Sequence, residues 1–138
     1  MKQYISKNEK ETMQIAAQLA KKVKLGTVCL LYGTLGAGKS AFCRGFIQSL
    51  CPDVQDVPSP TFTILQTYEA EGFDIYHFDM YRLKREEEAF EIGIEDAFIE
   101  GVSLIEWPEK INSLLPKNSI KITILIQEDQ TRLITIEE

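Results

Sequence analysis

A chain of 138 residues, 44% hydrophobic and 26% charged, can bury the core of one domain, 1–138, and has little room for a second domain or a long lid. A formal net charge of −6 excludes the broad basic footprint of a protein that grips DNA or RNA by itself, although not a local basic patch. Three cysteines, Cys29, Cys43 and Cys51, lack CxxC spacing and a histidine cluster, so they read as buried reduced thiols rather than a disulfide framework.

The N-terminus carries no apolar leader, and no segment is long enough to span a membrane, which reads as a cytoplasmic protein. Lys2 to Ser6 suits a short edge strand. Ser6-Lys7-Asn8-Glu9 has capping-box form and should open a helix, with Met13, Ala16, Ala17, Ala20 and Val23 at helical spacing. Thr27 to Tyr32 is apolar and partly β-branched, as expected of a buried strand. Gly33-Thr34-Leu35-Gly36-Ala37-Gly38-Lys39-Ser40 follows at once. It fits G-x-x-x-x-G-K-S/T, the phosphate loop. Ala41 to Leu50 then reads as a helix that Pro52 ends.

Strand, glycine loop and helix is the setting this motif needs. Glycines let the backbone turn its N–H groups inward around a phosphate, and the helix N-terminus adds partial positive charge. Lys39 can reach the β- and γ-phosphates, and Ser40 can offer its hydroxyl to Mg²⁺.

Pro52 to Phe62 holds three prolines and should lie extended on the surface. Phe62 to Tyr68 and Phe73 to Phe78, around the turn Glu69 to Gly72, form an expected hairpin, so the sheet should not be purely parallel. Glu86 to Glu91 and Ile94 to Ile99 read as two short helices divided by Gly93, with Glu86-Glu87-Glu88 as a solvated face. Val102 to Glu106 is a second buried strand. Pro108 to Leu115 is helical and stopped by Pro116. Ser119 to Gln127 and Thr131 to Glu137 alternate around a polar turn and close the chain as a hairpin.

Hydrolysis or transfer also needs a carboxylate near the metal and a group that orients the nucleophile. In α/β sheets such groups stand at the carboxyl ends of strands. Asp79 ends one apolar strand and Glu106 another, each in the manner of a Walker B motif. One could hold a metal water while the other polarises the attacking water, and spacing does not divide the roles. Thr61, taken alone, is a turn hydroxyl. His77, the only histidine, sits inside a strand and reads as a satisfied structural residue. Trp107 suits stacking or packing equally. Arg44, Arg82 and Arg85 are available for charge neutralisation, and spacing selects none of them.

Leu35-Gly36-Ala37-Gly38-Lys39-Ser40, Ser59-Pro60-Thr61-Phe62, Tyr76 to Leu83 and Leu104-Ile105-Glu106-Trp107 occur in the order seen in the TsaE (YjeE) family. The chain resembles that family from its first helix to its last hairpin. Many families share the phosphate loop; His-x-Asp-x-Tyr-Arg at 77–82 and Ile-Glu-Trp at 105–107 are far more specific. The resemblance implies a P-loop ATPase of bacterial tRNA threonylcarbamoyladenosine biosynthesis. Its α/β fold would have three layers, with a mixed sheet parallel at the centre and antiparallel at the edges.

The resemblance also implies ATP or ADP and Mg²⁺ as ligands. Gly33, Leu35, Gly36, Ala37, Gly38, Lys39, Ser40 and Trp107 would stand about the nucleotide, with Ser40, Asp79 and Glu106 near the metal. Ser40 stands where the family usually has threonine, a change that keeps the hydroxyl. Thr61 becomes a switch-loop residue. The implied partners are TsaD and TsaB, with tRNA engaged only indirectly and no role for DNA or a membrane. The alternatives are a nucleoside or small-molecule kinase, for which no Arg-rich lid is visible, and a nucleotide-sensing module without turnover. An Asn-Lys-x-Asp guanine motif is absent, which favours adenine.

Overall fold

The computed structural model describes residues 1–138. Seven strands form one sheet in the order β1-β7-β6-β2-β5-β4-β3. They are β1 (Lys2–Ser6), β2 (Val28–Tyr32), β3 (Leu65–Glu69), β4 (Asp74–Asp79), β5 (Gly101–Glu106), β6 (Ile120–Ile126) and β7 (Arg132–Glu137). The four central strands, β6, β2, β5 and β4, run parallel. The hairpins β3–β4 and β6–β7 and the pair β1–β7 are antiparallel. The expected mixed sheet is therefore borne out.

Strand β2 is apolar on both faces because both are covered. Cys29 and Leu31 pack with Ala16 and Leu19 of α1 (Glu9–Ala20) and with Phe42 and Phe46 of α2 (Lys39–Leu50). Val28 and Leu30 face the opposite layer, where they meet Ala89 of α3 (Glu88–Glu91), Ala97 of α4 (Ile94–Glu100) and Ile111. The sheet thus separates two apolar layers, and all three cysteines are buried and free. No helix is long and apolar enough to cross a membrane.

Several boundaries differ from the sequence reading. The cap of α1 is Asn8, not Ser6: Asn8 is extended, and its side chain accepts from the Glu11 N–H. Glu11 reaches back to accept from the Lys7 N–H at 2.8 Å, one residue before the cap. Ser6 turns inward instead, 2.7 Å from the Thr12 hydroxyl. The helix stops at Ala20, short of Val23.

Strand β3 starts at Leu65 rather than Phe62, because Ile64 has φ +70° and donates its N–H to Pro60 in a tight turn. Phe62 is left 82% exposed. The acidic face is only partly solvated: Glu87 is exposed, while Glu86 accepts from the Ser113 hydroxyl and Glu88 from the Lys84 N–H. Pro108–Leu114 is 3₁₀ rather than α, entered from a left-handed Trp107 and kinked at Ile111.

Candidate active site

The glycine loop 33–40 joins β2 to α2 where the parallel strands end. Gly36 and Gly38 have φ of +78° and +116°, conformations that strain any residue carrying a Cβ. The turn is closed by the Ala37 N–H donating to Thr34 O at 3.1 Å. Gly38 has no side chain with which to cap α2, so the positive end of that helix is left for an anion.

Lys39 is buried beneath the loop. Its Nζ donates to Gly33 O at 2.6 Å and lies 3.4 Å from the centroid of the Trp107 ring. Burial pushes its pKa below the ordinary lysine value, while the charges of Glu106, Glu109 and Asp79 pull it back up. The residue is largely shielded from solvent.

Parallel pairing of β4 with β5 sets Asp79 opposite Glu106, and both are buried. Asp79 Oδ2 accepts from the Thr61 hydroxyl at 3.0 Å, and Oδ1 accepts from the Tyr81 N–H at 2.9 Å. Thr61 is thus more than a turn hydroxyl: it ties the Pro-flanked loop to the end of β4. Glu106 Oε2 lies 2.7 Å from His77 Nε2. Trp107 packs rather than stacks, its ring tilted against Tyr81 at 4.8 Å between centroids.

A cleft of about 260 Å³ gathers Leu35, Gly36, Gly38, Lys39, Ser40, Thr61, Asp79, Glu106 and Trp107. Of the sequence candidates, Gly33 and Ala37 lie outside its wall. Gly33 contributes a carbonyl to Lys39, and a Cβ there would meet Ile124 O at 2.9 Å. Ala37 belongs to a second cleft of about 230 Å³ on the other side of the loop, with Ser6, Asn8, Thr12, Gln130 and Arg132. The oxygen groups that line the first cleft are the hydroxyls of Ser40, Ser59 and Thr61 and the carboxylates of Glu9, Asp79 and Glu106, with Glu9 already paired to Arg44. Hard oxygen groups in small number suit Mg²⁺, which keeps several of its waters.

Sequence reasoning missed three features. Arg132 donates from Nε to Ala37 O at 2.9 Å and from Nη1 to Gln130 O at 2.6 Å, bracing the loop from β7. No local pattern couples residues so far apart. His77 is half satisfied rather than satisfied, since its Nδ1 is buried without a partner. The contact of Lys39 with Trp107 depends on the left-handed turn after β5. Among the arginines proposed for charge neutralisation, Arg44 lines the cleft and pairs with Glu9 at 2.8 Å, and Arg82 stacks over exposed Phe62.

The sequence model of the family described as "Threonylcarbamoyl adenosine biosynthesis protein TsaE" matches residues 6–134. The tRNA threonylcarbamoyladenosine biosynthesis protein TsaE of Rickettsia felis is 43% identical over 132 residues, covering 96% of this chain and 77% of its own. Its counterpart in Bacillus subtilis is 40% identical, covering 93% and 80% respectively. The crystal structure of YdiB from Bacillus subtilis superposes with a TM-score of 0.82 at 33% identity, over 98% of this chain and 83% of that one. The chain therefore belongs to the TsaE family of threonylcarbamoyl adenosine biosynthesis proteins.

Proposed function

We propose that the chain is a P-loop ATPase that serves threonylcarbamoyl modification of adenosine in tRNA by switching a complex of TsaD and TsaB. The observation that carries this reading is one cleft that joins a phosphate loop to two buried strand-end carboxylates and the Thr61 loop. The β- and γ-phosphates would lie on the amides of Leu35 to Ser40. Lys39 leaves Gly33 O and the Trp107 face to meet phosphate oxygen. Its new ion pair replaces a neutral acceptor and a ring.

Ser40 with Asp79 or Glu106 would hold Mg²⁺, which would supply neutralising charge to the reacting phosphates. Asp79, held on both oxygens, ties Thr61 to the site. Loss of the γ-phosphate removes the ligand over which the Thr61 loop is ordered, and the loop relaxes, as switch segments do. Glu106 orients the attacking water; the bond to the γ-phosphorus forms as that to the bridging oxygen breaks, yielding ADP and phosphate. An acidic chain is suited to such a role, because partners grip the tRNA.

The test is ATP turnover and nucleotide binding by wild type and Lys39→Ala, alone and with TsaD and TsaB. Lys39→Ala is expected to lose productive ATP binding and turnover. Undiminished hydrolysis by that variant would refute the proposal.

A further inference from the structure

We infer that His77 is a positioning residue for Glu106: it holds one carboxylate oxygen from behind and so leaves the other to the cleft. The kinetic part of this inference rests on the ATPase reading; the structural part does not. His77 stands on β4 two residues before Asp79, the register partner of Glu106, so alternation places all three on the same face of the sheet. This is the face that α2 covers. Glu106 reaches back along β5 to bring Oε2 to 2.7 Å from His77 Nε2, with His77 1% and Glu106 3% exposed.

An ionised carboxylate only accepts hydrogen bonds, so Nε2 donates. Among the side-chain hydrogen bonds, this is the one that Glu106 makes. Its neighbour differs. Both Asp79 oxygens are engaged, by Thr61 and by the Tyr81 N–H. Glu106 therefore keeps one oxygen without a hydrogen-bond partner, whereas each Asp79 oxygen already accepts one bond and has a single lone pair left, a difference that strand position alone leaves open.

Two further observations bear on this histidine. Its Nδ1 takes no protein partner, so the contact of Nε2 with Glu106 is the one polar contact that orients the ring. Cys43 of α2, fully buried, closes the far side, and its sulfur lies within 4.8 Å of the His77 and Glu106 donor atoms. Water is thereby kept from the back of the carboxylate, and His77 is left as its sole anchor. The same helix begins with Lys39 and Ser40, so the anchor is referenced to the phosphate loop.

The test uses the full-length chain and two polar variants. His77→Gln places an amide N–H near the position of Nε2; His77→Asn places one near Nδ1, out of reach of Glu106. His77→Asn is expected to lower kcat by about 10–100-fold, part of the roughly 10²–10⁴-fold that a well-positioned group acting on the nucleophile supplies, with KM for ATP little changed. His77→Gln should recover most of the rate. Wild-type kcat in His77→Asn would overturn the inference.

Because His77 is the only histidine, ¹⁵N-imidazole NMR of the nucleotide-free protein reads it without ambiguity. The expected spectrum has a solvent-protected proton on Nε2 that shifts in Glu106→Gln. A ring protonated on Nδ1 alone would overturn the inference, whether or not the variants fold. If wild type shows no turnover under any condition, the ATPase reading fails, and the NMR experiment still decides the role of His77.

Discussion

Gly45→Ala tests the packing that aims the phosphate loop. Gly45 lies in α2 where α1 crosses it. A Cβ built there would stand 2.5 Å from both Cα and O of Met13, and 2.7 Å from Met13 Cβ. Two of these atoms are backbone, so no rotamer relieves the clash. Apolar carbons rest at about 3.5–4.0 Å, so the helices must part by roughly 1 Å. Overpacking costs about 1–3 kcal/mol, and a clash with backbone atoms stands in the upper part of that range, at about 2–3, against a gain of about 1 kcal/mol from replacing glycine in a helix. The net is a loss of about 1–2 kcal/mol. With an unfolding entropy of about 2.1 cal/mol/K per residue over 138 residues, each kcal/mol shifts Tm by about 3–4 °C. The expected fall is therefore about 3–7 °C by the same scaling. It should be read by circular dichroism without nucleotide, because a ligand of the native state would mask it. A Tm equal to or above wild type would refute the reasoning, since it would mean that α1 and α2 do not approach as closely as the glycine requires.

Asp79→Ala and Glu106→Ala should each reduce ATP turnover by about 100-fold or more while leaving ADP affinity within a few-fold of wild type. If steady-state assays find both at full rate, the strand-end carboxylates do not take part. The Cys29 thiol is pushed from 9.0 to about 12, first by burial and then by the charge of Glu138. Above pH 9 the unfolded thiol therefore ionises while the folded one stays protonated. Its contribution to stability is full below that pH and is lost as pH rises toward 12. Thermal melts from neutral to alkaline pH should show Tm falling, and less steeply in Cys29→Val; an unchanged slope in that variant would contradict the buried-thiol assignment.

The parts of this site that were legible in the sequence are those carried by contiguous residues. Gly36, Gly38, Lys39 and Ser40 announce themselves because a turn with positive φ and a helix start impose residue types at set intervals. Asp79 and Glu106 could be found because each closes an apolar run, and parallel pairing then sets them side by side. Thr61 could not be separated from an ordinary turn residue, since its meaning lies in an acceptor eighteen positions away. The misplaced cap at Ser6 has a similar origin. Ser6 and Asn8 both suit a cap, and the choice between them depends on whether Ser6 can be buried against Thr12.

By itself the sequence determined the order of elements, the phosphate loop and the two strand-end acids, because period, β-branching and glycine at required φ act over a few residues. Tertiary structure alone decided what those residues face. It set β2 between β6 and β5, sent Arg132 across the sheet to the carbonyl of Ala37, and brought His77 and Cys43 behind Glu106. The physical reason is range. Backbone conformation is chosen by neighbours in the chain, whereas a buried carboxylate takes its orientation from donors that only packing can deliver.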